Sequence, residues 1–434
     1  VAARLHRNVI FSSAYVPSVP ISFVDAPSPG KLYAALAEQC DPQATGCDAV
    51  VIPHSSPLSL GMMFQEAASW RGEGGPEGLR LRNRYERLVE VMQYQGAAEC
   101  AGPAEDAPAD DALCAFEQVA ANRTVFSALA PTAGAVPAGG DYPREALKQG
   151  LRWQREEQVN PFKFGFVGGT GSHLGLAGDV DEVSFAGHGG VGVDGAALQA
   201  AGMPERIEFN PGGLTVLYAE QNTREALFAA LKRRESYATS GPRMTVRFFG
   251  GAQLPRDFCE RSDRLEQAYQ LGVPMGADLP VSDKAPRFAV SAMKDPGVKG
   301  TPGIDLQRIQ IIKGWVDSEG VLREQVYDIA GDSGSGAGAD GDACASPRGY
   351  ATLCRVWQDP EFDPQAAAFY YARVLQQSSC RWSSRVCEKL AVDCASQAVL
   401  MEPAASCCSA NVPEVIQERA WTSPIWHNPV RDSH

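Results

Sequence analysis

The chain has 434 residues and a net charge of −13, from 52 acids against 39 bases, with no block of lysine or arginine. That balance argues against a nucleic-acid partner, whose affinity would rest on neutralising phosphates. Apolar residues make up 44% and charged residues 21%, as in globular chains; no apolar run is long enough to span a bilayer, and the length points to more than one domain.

The chain opens Val1-Ala-Ala-Arg, without an initiator methionine or a charged-then-apolar leader, so a processed product or a fragment is expected. Ser28-Pro29 opens a helix over 31–38, with proline in the first turn where its missing N–H costs nothing. A strand over 49–52 leads through Pro53 to His54, and a second over 88–92 holds Glu90. Asp141 is expected to cap a helix through Glu156, with Ala146, Leu147 and Leu151 on one face. Residues 164–178 read FGFVGGTGSHLGLAG, an apolar strand ending in a glycine-rich bend that presents His173. Asn222-Thr-Arg-Glu225 reads as a capping box for a helix over 224–235. This alternation implies a mostly parallel sheet or barrel, interrupted by irregular stretches such as 100–140.

Beyond Ser240-Gly-Pro the pattern changes. Residues 244–249, 288–293, 306–315 and 324–329 are short strands with partial alternation, the pattern of a small antiparallel β-sandwich. Residues 331–343, GDSGSGAGADGDA, read as a flexible surface loop. Asp363-Pro364 is expected to start a short helix carrying Phe369, Tyr370, Tyr371, Val374 and Leu375, and 418–429 is an extended aromatic tail. The expected division is 1–243 for the α/β part, 244–330 for the β part and 331–434 for loop, helix and cysteine-rich tail.

Eleven of the twelve cysteines fall at close spacings: Cys40/Cys47, Cys100/Cys114, Cys344/Cys354, Cys380/Cys387/Cys394 and Cys407/Cys408. None has the C-x-x-C form, and six histidines are too few to complete zinc sites. They read as short disulfide-closed loops, hence an oxidising compartment, periplasmic or secreted, against the alternative of reduced thiols in a cytosol.

Chemistry collects where strands end. In α/β folds the C-terminal mouth of the sheet is where catalytic and metal-binding residues sit. His54, Glu90 and His173 each lie in or after such a strand, which suggests a metal-dependent hydrolase or the remnant of one. Glu90 inside an apolar strand needs either a metal ion or a buried arginine, because an unpartnered carboxylate there is expensive. Arg234 and Arg243, flanking the Ser236-Tyr-Ala-Thr-Ser-Gly turn with Arg233, could orient an anionic substrate oxygen; ion pairs with acids such as Glu235 are the commoner use. His188, His427 and His434 read as structural or exposed. Gly187–Gly192 fits G-x-G-x-x-G only by letter, Gly331-Asp-Ser-Gly334 lacks triad partners, and Asn122-Arg-Thr124 matters only in a eukaryotic secretory pathway.

The stretches NPFKFGFVGGTGSH, AEQNTREALFAALKRRESYATSGP, LQRIQIIKGWVD, FDPQAAAFYYARVL and ERAWTSPIW resemble the family called domain of unknown function 3604. That family is similar to PHP (polymerase and histidinol phosphatase) metallohydrolases, especially their carbaryl-hydrolase-like branch. The resemblance implies a distorted (β/α) barrel, N-terminally incomplete here. It also implies two or three divalent metals (Zn, Mn or Fe) and a small-molecule substrate, a phosphoester, carbamate or related ester. By motif, His6 in LHRNVIF, His54, Glu90 and His173 match ligand or near-ligand positions. Two departures stand out: members usually carry aspartate where this chain has Gly171, and the family's opening His-x-His and glutamate strand would lie upstream of Val1. A degenerate, non-catalytic binding or surface protein is therefore the competing expectation.

Overall fold

The computed structural model describes residues 5–59, 61–64, 75–102, 111–118, 140–172, 177–183, 185, 207–332, 346, 348–395, 407–409 and 412–429. Strands β1 (Arg7–Phe11) and β2 (Ala49–Pro53) pair antiparallel, with Arg7 opposite Pro53. Helix α1 (Pro29–Gln39) starts as its sequence predicts, since the Ser28 hydroxyl accepts from the Lys31 N–H. Tyr33 and Leu36 of α1 and Tyr85 of α2 (Gly75–Tyr85) bury against Ala49 and Val51, beside the Cys40–Cys47 disulfide.

Strand β3 (Leu88–Gln93) turns back on β4 (Gly96–Ala97) and, after helix α3 (Pro143–Glu157), pairs parallel with β5 (Gly165–Gly168). The second half continues with β6 (Leu214–Leu217), α4 (Arg224–Arg233), β7 (Ser236–Thr239), β8 (Thr245–Gly251), α5 (Arg264–Leu271), β9 (Val273–Pro274) and β10 (Arg287–Met293). A small hairpin, β11 (Gly297–Val298) and β12 (Thr301–Pro302), precedes the long pair β13 (Leu306–Val316) and β14 (Leu322–Gly331). Then come β15 (Thr352–Gln358), β16 (Ala368–Gln376), β17 (Ser379–Cys380), α6 (Trp382–Lys389), β18 (Val415–Ile416), β19 (Arg419–Thr422) and β20 (Ile425–His427).

A seven-stranded sheet in the order β14-β13-β16-β19-β7-β6, with β20 also on β16, is the centre of the molecule. One face meets the four-stranded sheet β15-β10-β8-β9 through Phe248, Phe288, Val290, Ile311 and Tyr370, a sandwich core. The other face buries Ile312, Phe369, Tyr371 and Trp421 against Leu147 and Leu151 of α3, Val89 and Val91 of β3 and Phe166 of β5. Among the described residues the fold is thus mixed α/β, with six α-helices and no closed barrel.

Three expectations are corrected. The expected barrel is replaced by separate sheets, with β3 and β5 as the one parallel pair among the described strands. The expected domain boundaries near 243 and 330 do not separate sheets, because β6 and β7, β13 and β14, and β16, β19 and β20 share one. Residues 368–376 form β16, not a helix. A strand at the centre of a sheet is buried on both faces, so its apolar run has no alternation to reveal it, while Asp363 makes a local turn to Ala366 N and Gln365 N.

Smaller shifts have local causes. The cap of α4 is Thr223, one residue later than read, accepting from Ala226 N. Asp141 does not cap α3; its carboxylate accepts from Ser59 Oγ and, at 2.7 Å, from Gly61 N. Cys40–Cys47 and Cys100–Cys114 close the short loops expected, but Cys354 bonds Cys259, 95 residues away, and the tail pairs Cys387–Cys407 and Cys394–Cys408. Among the described residues no helix is long and apolar enough to cross a membrane; the disulfides are consistent with an oxidising, extracellular location.

Charges are buried where α3 crosses the central sheet. Glu99 accepts from Arg373 Nη1 (3.1 Å), Arg144 Nη2, Tyr371 OH (2.6 Å) and Trp421 Nε1 (2.6 Å), and Asp111 pairs with the same two arginines at 3.0 and 2.8 Å. Burial alone would raise the Glu99 pKa; Arg373 and Arg144 overcome it and hold the carboxyl far below its usual range. Removing one partner from such a network costs about 3–5 kcal/mol, because the others stay buried and unpaired.

Candidate functional site

Strand β2 ends at Pro53, and its ladder runs one step further where His54 N donates to His6 O at 3.2 Å. The two imidazoles lie 5.5 Å apart between ring centroids. Ser55 then takes the left-handed conformation (φ 56°) and starts a tight 3-10 turn over Ser56–Leu58. A non-glycine residue held there marks a backbone that its surroundings over-determine. The consequence is local. The Ser55 N–H is turned toward the Glu90 carboxylate, and its hydroxyl contacts His54 Nδ1 (3.3 Å) and receives Gln93 Nε2 (3.3 Å).

Glu90 leaves β3 toward the bend after β5. A Cβ on Gly169 would lie 2.9 Å from Glu90 Oε2, so the glycine makes room for the carboxylate. The other oxygen, Oε1, is buried with no hydrogen-bond partner. Burial pushes the Glu90 pKa up to about 8, with only the Ser55 N–H opposing. His54 goes the other way. Burial, then the His6 and Arg7 charges, lower its pKa to about 4, so its ring is neutral at pH 7 and has a lone pair to offer.

The bend itself is pinned on both sides: Gly169 N donates to Met92 O (2.9 Å), Gly213 N to Gly169 O (2.8 Å) and Tyr94 N to Thr170 O (3.2 Å). Gly171 has φ +63°, and a Cβ there would meet Tyr94 Cδ1 at 2.5 Å and Gln93 Oε1 at 3.0 Å. The position expected to carry a ligand aspartate is therefore built for glycine, both by backbone sign and by the aromatic ring beside it.

Ser55 contacts both His54 and Glu90, and His6 lies against His54, but among the described residues the three do not form a group of ligand atoms in mutual contact. His173, His188 and His434 lie outside the described residues, as do Gly187–Gly192, Asn122 and 333–343. Arg234 is at the other end of the strands: it precedes β7, its Nε donates to Gly276 O (2.7 Å) and its Nη1 to Lys163 O (3.0 Å), and burial lowers its pKa to about 9. Arg243 is exposed and reaches only Gly178 O at 3.5 Å. Neither faces His54 or Glu90, and Arg233 makes an ion pair with Glu235 at 2.8 Å, the commoner use of such an arginine. His427 is buried against Phe362, with Nε2 3.2 Å from Pro364 O.

Cys100, Asp111 and Cys114 place three ligand-type atoms within 4.8 Å of one another. The two sulfurs are bonded to each other and Asp111 is paired with Arg144 and Arg373, so no thiolate is free for a metal there. The cavity beside Glu90 is only about 10 Å3, lined by Ser55, Gln93 and Gln95 among others. Larger cavities of about 360 and 340 Å3, one beside Arg155 and Asp317 and one beside His427, touch neither Glu90 nor His54. Sequence reasoning missed Ser55 and Gln93, whose signal was a serine-rich turn after a strand and a second polar residue three places beyond Glu90.

Residues 2–429 match the family described as Protein of unknown function (DUF3604). No curated protein and no solved structure matches the chain.

Proposed function

The chain belongs to the DUF3604 family, and from that premise we propose that it is a metal-dependent hydrolase of PHP type, cleaving a phosphoester, carbamate or related ester in the periplasm or outside the cell. One observation carries the reading: a buried carboxylate, Glu90, with an oxygen that none of the described residues satisfies. A divalent ion (Zn, Mn or Fe) would resolve that cost, with Glu90 and His54 as ligands from the described residues and His6 and His173 as further candidates. When bound, such an ion supplies a water made nucleophilic near neutral pH and positive charge beside the reacting oxygen. The chain's own part is to hold the groups. Ser55 directs its N–H to Glu90, Gln93 fixes the Ser55 hydroxyl, and the Gly169 bend admits the carboxylate.

The competing reading, a scaffold that has lost catalysis and binds a partner, draws on Gly171, where neither a carboxylate nor any side chain fits beside Tyr94. Turnover of nitrophenyl phosphate, nitrophenyl acetate and an aryl carbamate, measured with added Zn, Mn or Fe, separates the two. The hydrolase reading expects metal-dependent turnover of one class, reduced roughly a hundredfold by His54→Ala or Glu90→Gln. Turnover unchanged in both variants would refute the site.

A further inference from the structure

A second group of carboxylates sits apart from Glu90, where Arg381 anchors the segment before α6. Arg381 is filled: Nε and Nη2 bind Glu117 at 3.0 and 2.9 Å, and its donors also reach the carbonyls of Ile207, Glu208 and Phe209 at 2.7 to 2.9 Å and the Ser383 hydroxyl at 2.8 Å. That guanidinium is thus spent on Glu117, three backbone oxygens and a serine hydroxyl. Beside it, Glu182 Oε2 accepts from Trp382 N at 2.5 Å, and Glu418 Oε2 accepts from Ser240 Oγ. The second oxygen of each, Glu182 Oε1 and Glu418 Oε1, is buried with no hydrogen-bond partner.

Among the described residues no cation hydrogen-bonds either of these oxygens. Arg419 turns away, its guanidinium over the Phe116 ring at 3.7 Å and its donors on Leu113 O and Gln417 O. Burial raises both carboxyls, Glu182 to about 8; at Glu182 the Arg381 charge opposes it and the Glu117 charge adds to it, while at Glu418 the Glu182 charge adds most and the Ser240 hydroxyl opposes. Burial penalises the charged form of each acid, and each keeps one unsatisfied oxygen that a bound cation would satisfy. A third oxygen is close: a Cβ on Gly241 would lie 2.8 Å from Val180 O and 3.5 Å from Glu418 Oε1.

We propose that Glu182 and Glu418, with the Val180 carbonyl beside them, form a binding site for a hard divalent cation of the calcium type. The donors are all oxygen, with neither imidazole nor thiolate, which selects against Zn, Fe and Cu. A largely protein-built set of carboxylates and carbonyl suits calcium better than magnesium, which keeps its waters. The ion's place in the fold gives it a task. Glu117 also receives Asn210 Nδ2 at 3.1 Å, and Asn210 N donates to Tyr94 O at 2.8 Å, so the cluster braces the chain that lies against the Gly169–Gly171 bend.

The test is calcium titration calorimetry on EDTA-stripped Glu90→Gln protein at pH 7.5, a background that removes the proposed hydrolytic metal site and so separates the two readings. One calcium per chain with a raised melting temperature is expected, and Glu182→Gln and Glu418→Gln should each weaken binding at least roughly tenfold, as loss of one direct carboxylate ligand does. If one variant fails to fold, the other decides. No binding heat and no calcium-dependent melting shift, or unchanged affinity in both glutamine variants, would overturn the site and leave the two acids sharing a proton.

Discussion

Replacing Glu90 by glutamine removes a charge but keeps the shape, and it should make the metal-free protein more stable at alkaline pH. The folded carboxyl titrates at about 8 against 4.5 for the free group, chiefly because burial penalises its charged form. The sign follows from proton binding. Between these two values the folded state keeps a proton that the unfolded state has released, so Glu90 contributes stability at low pH that is lost as pH rises through 8. Each pH unit in that window costs about 1.4 kcal/mol, on the order of 5 kcal/mol in all, an upper value because buried sites relax and admit water.

For a chain of 434 residues, an unfolding entropy of about 2 cal/mol/K per residue turns that into a melting shift of roughly 5 °C. Melting curves of the parent and Glu90→Gln, recorded by circular dichroism in EDTA from pH 5 to pH 9, give the assay. The two curves should nearly coincide near pH 5, separate up to about pH 8 and level off above it, with the variant higher. Added Zn or Mn should then raise the parent alone. A separation that does not change with pH would show that Glu90 does not carry this titration, and the physical argument for a ligand carboxylate would fall with it.

Gly171→Ala should lower the melting temperature more than Gly300→Ala. Both glycines have positive φ, +63° and +91°, but a Cβ at 171 meets Tyr94 whereas one at 300 meets nothing within 4 Å, so the excess measures the packing that excludes an aspartate; equal effects would contradict that account. Non-reducing peptide mapping should find Cys259 joined to Cys354, and Cys259→Ser with Cys354→Ser should cost about 4–5 kcal/mol by loop entropy. A map that instead joins Cys344 to Cys354 would overturn the pairing.

The sequence is most legible where structure is local. Ser28-Pro29 starts α1, the runs at 49 and 88 are strands, and the Gly-Gly-Thr-Gly bend follows β5, because caps, turns and short apolar runs are written in neighbouring residues. It is least legible where partners are remote. The run Phe369-Tyr-Tyr-Ala-Arg-Val-Leu forms a central strand because β13, β19 and β20 flank it, and nothing in its own neighbourhood announces them. The same holds for Asp141, which is drawn away from α3 by Ser59 and Gly61, some 80 residues earlier in the chain.

Of the candidate site, Glu90 was legible as a misplaced charge in an apolar strand, and His54 as the first polar residue past a strand end. The orphaned oxygen that gives Glu90 its meaning required the surroundings of the strand. Glu182 and Glu418 carried no such signal: one lies in the acidic stretch Asp179-Val-Asp-Glu182 and the other looks like the rim of a tail, and their contacts with Trp382 N and Ser240 Oγ come from remote parts of the chain.

The most direct test of the hydrolase reading is transition-metal content by mass spectrometry on the purified parent chain beside Glu90→Gln, each loaded with Zn or Mn and desalted. The account predicts at least one tightly held ion per parent chain and its loss in the variant. Equal content in both, or none in either, would contradict it and favour the binding-protein reading built around Gly171.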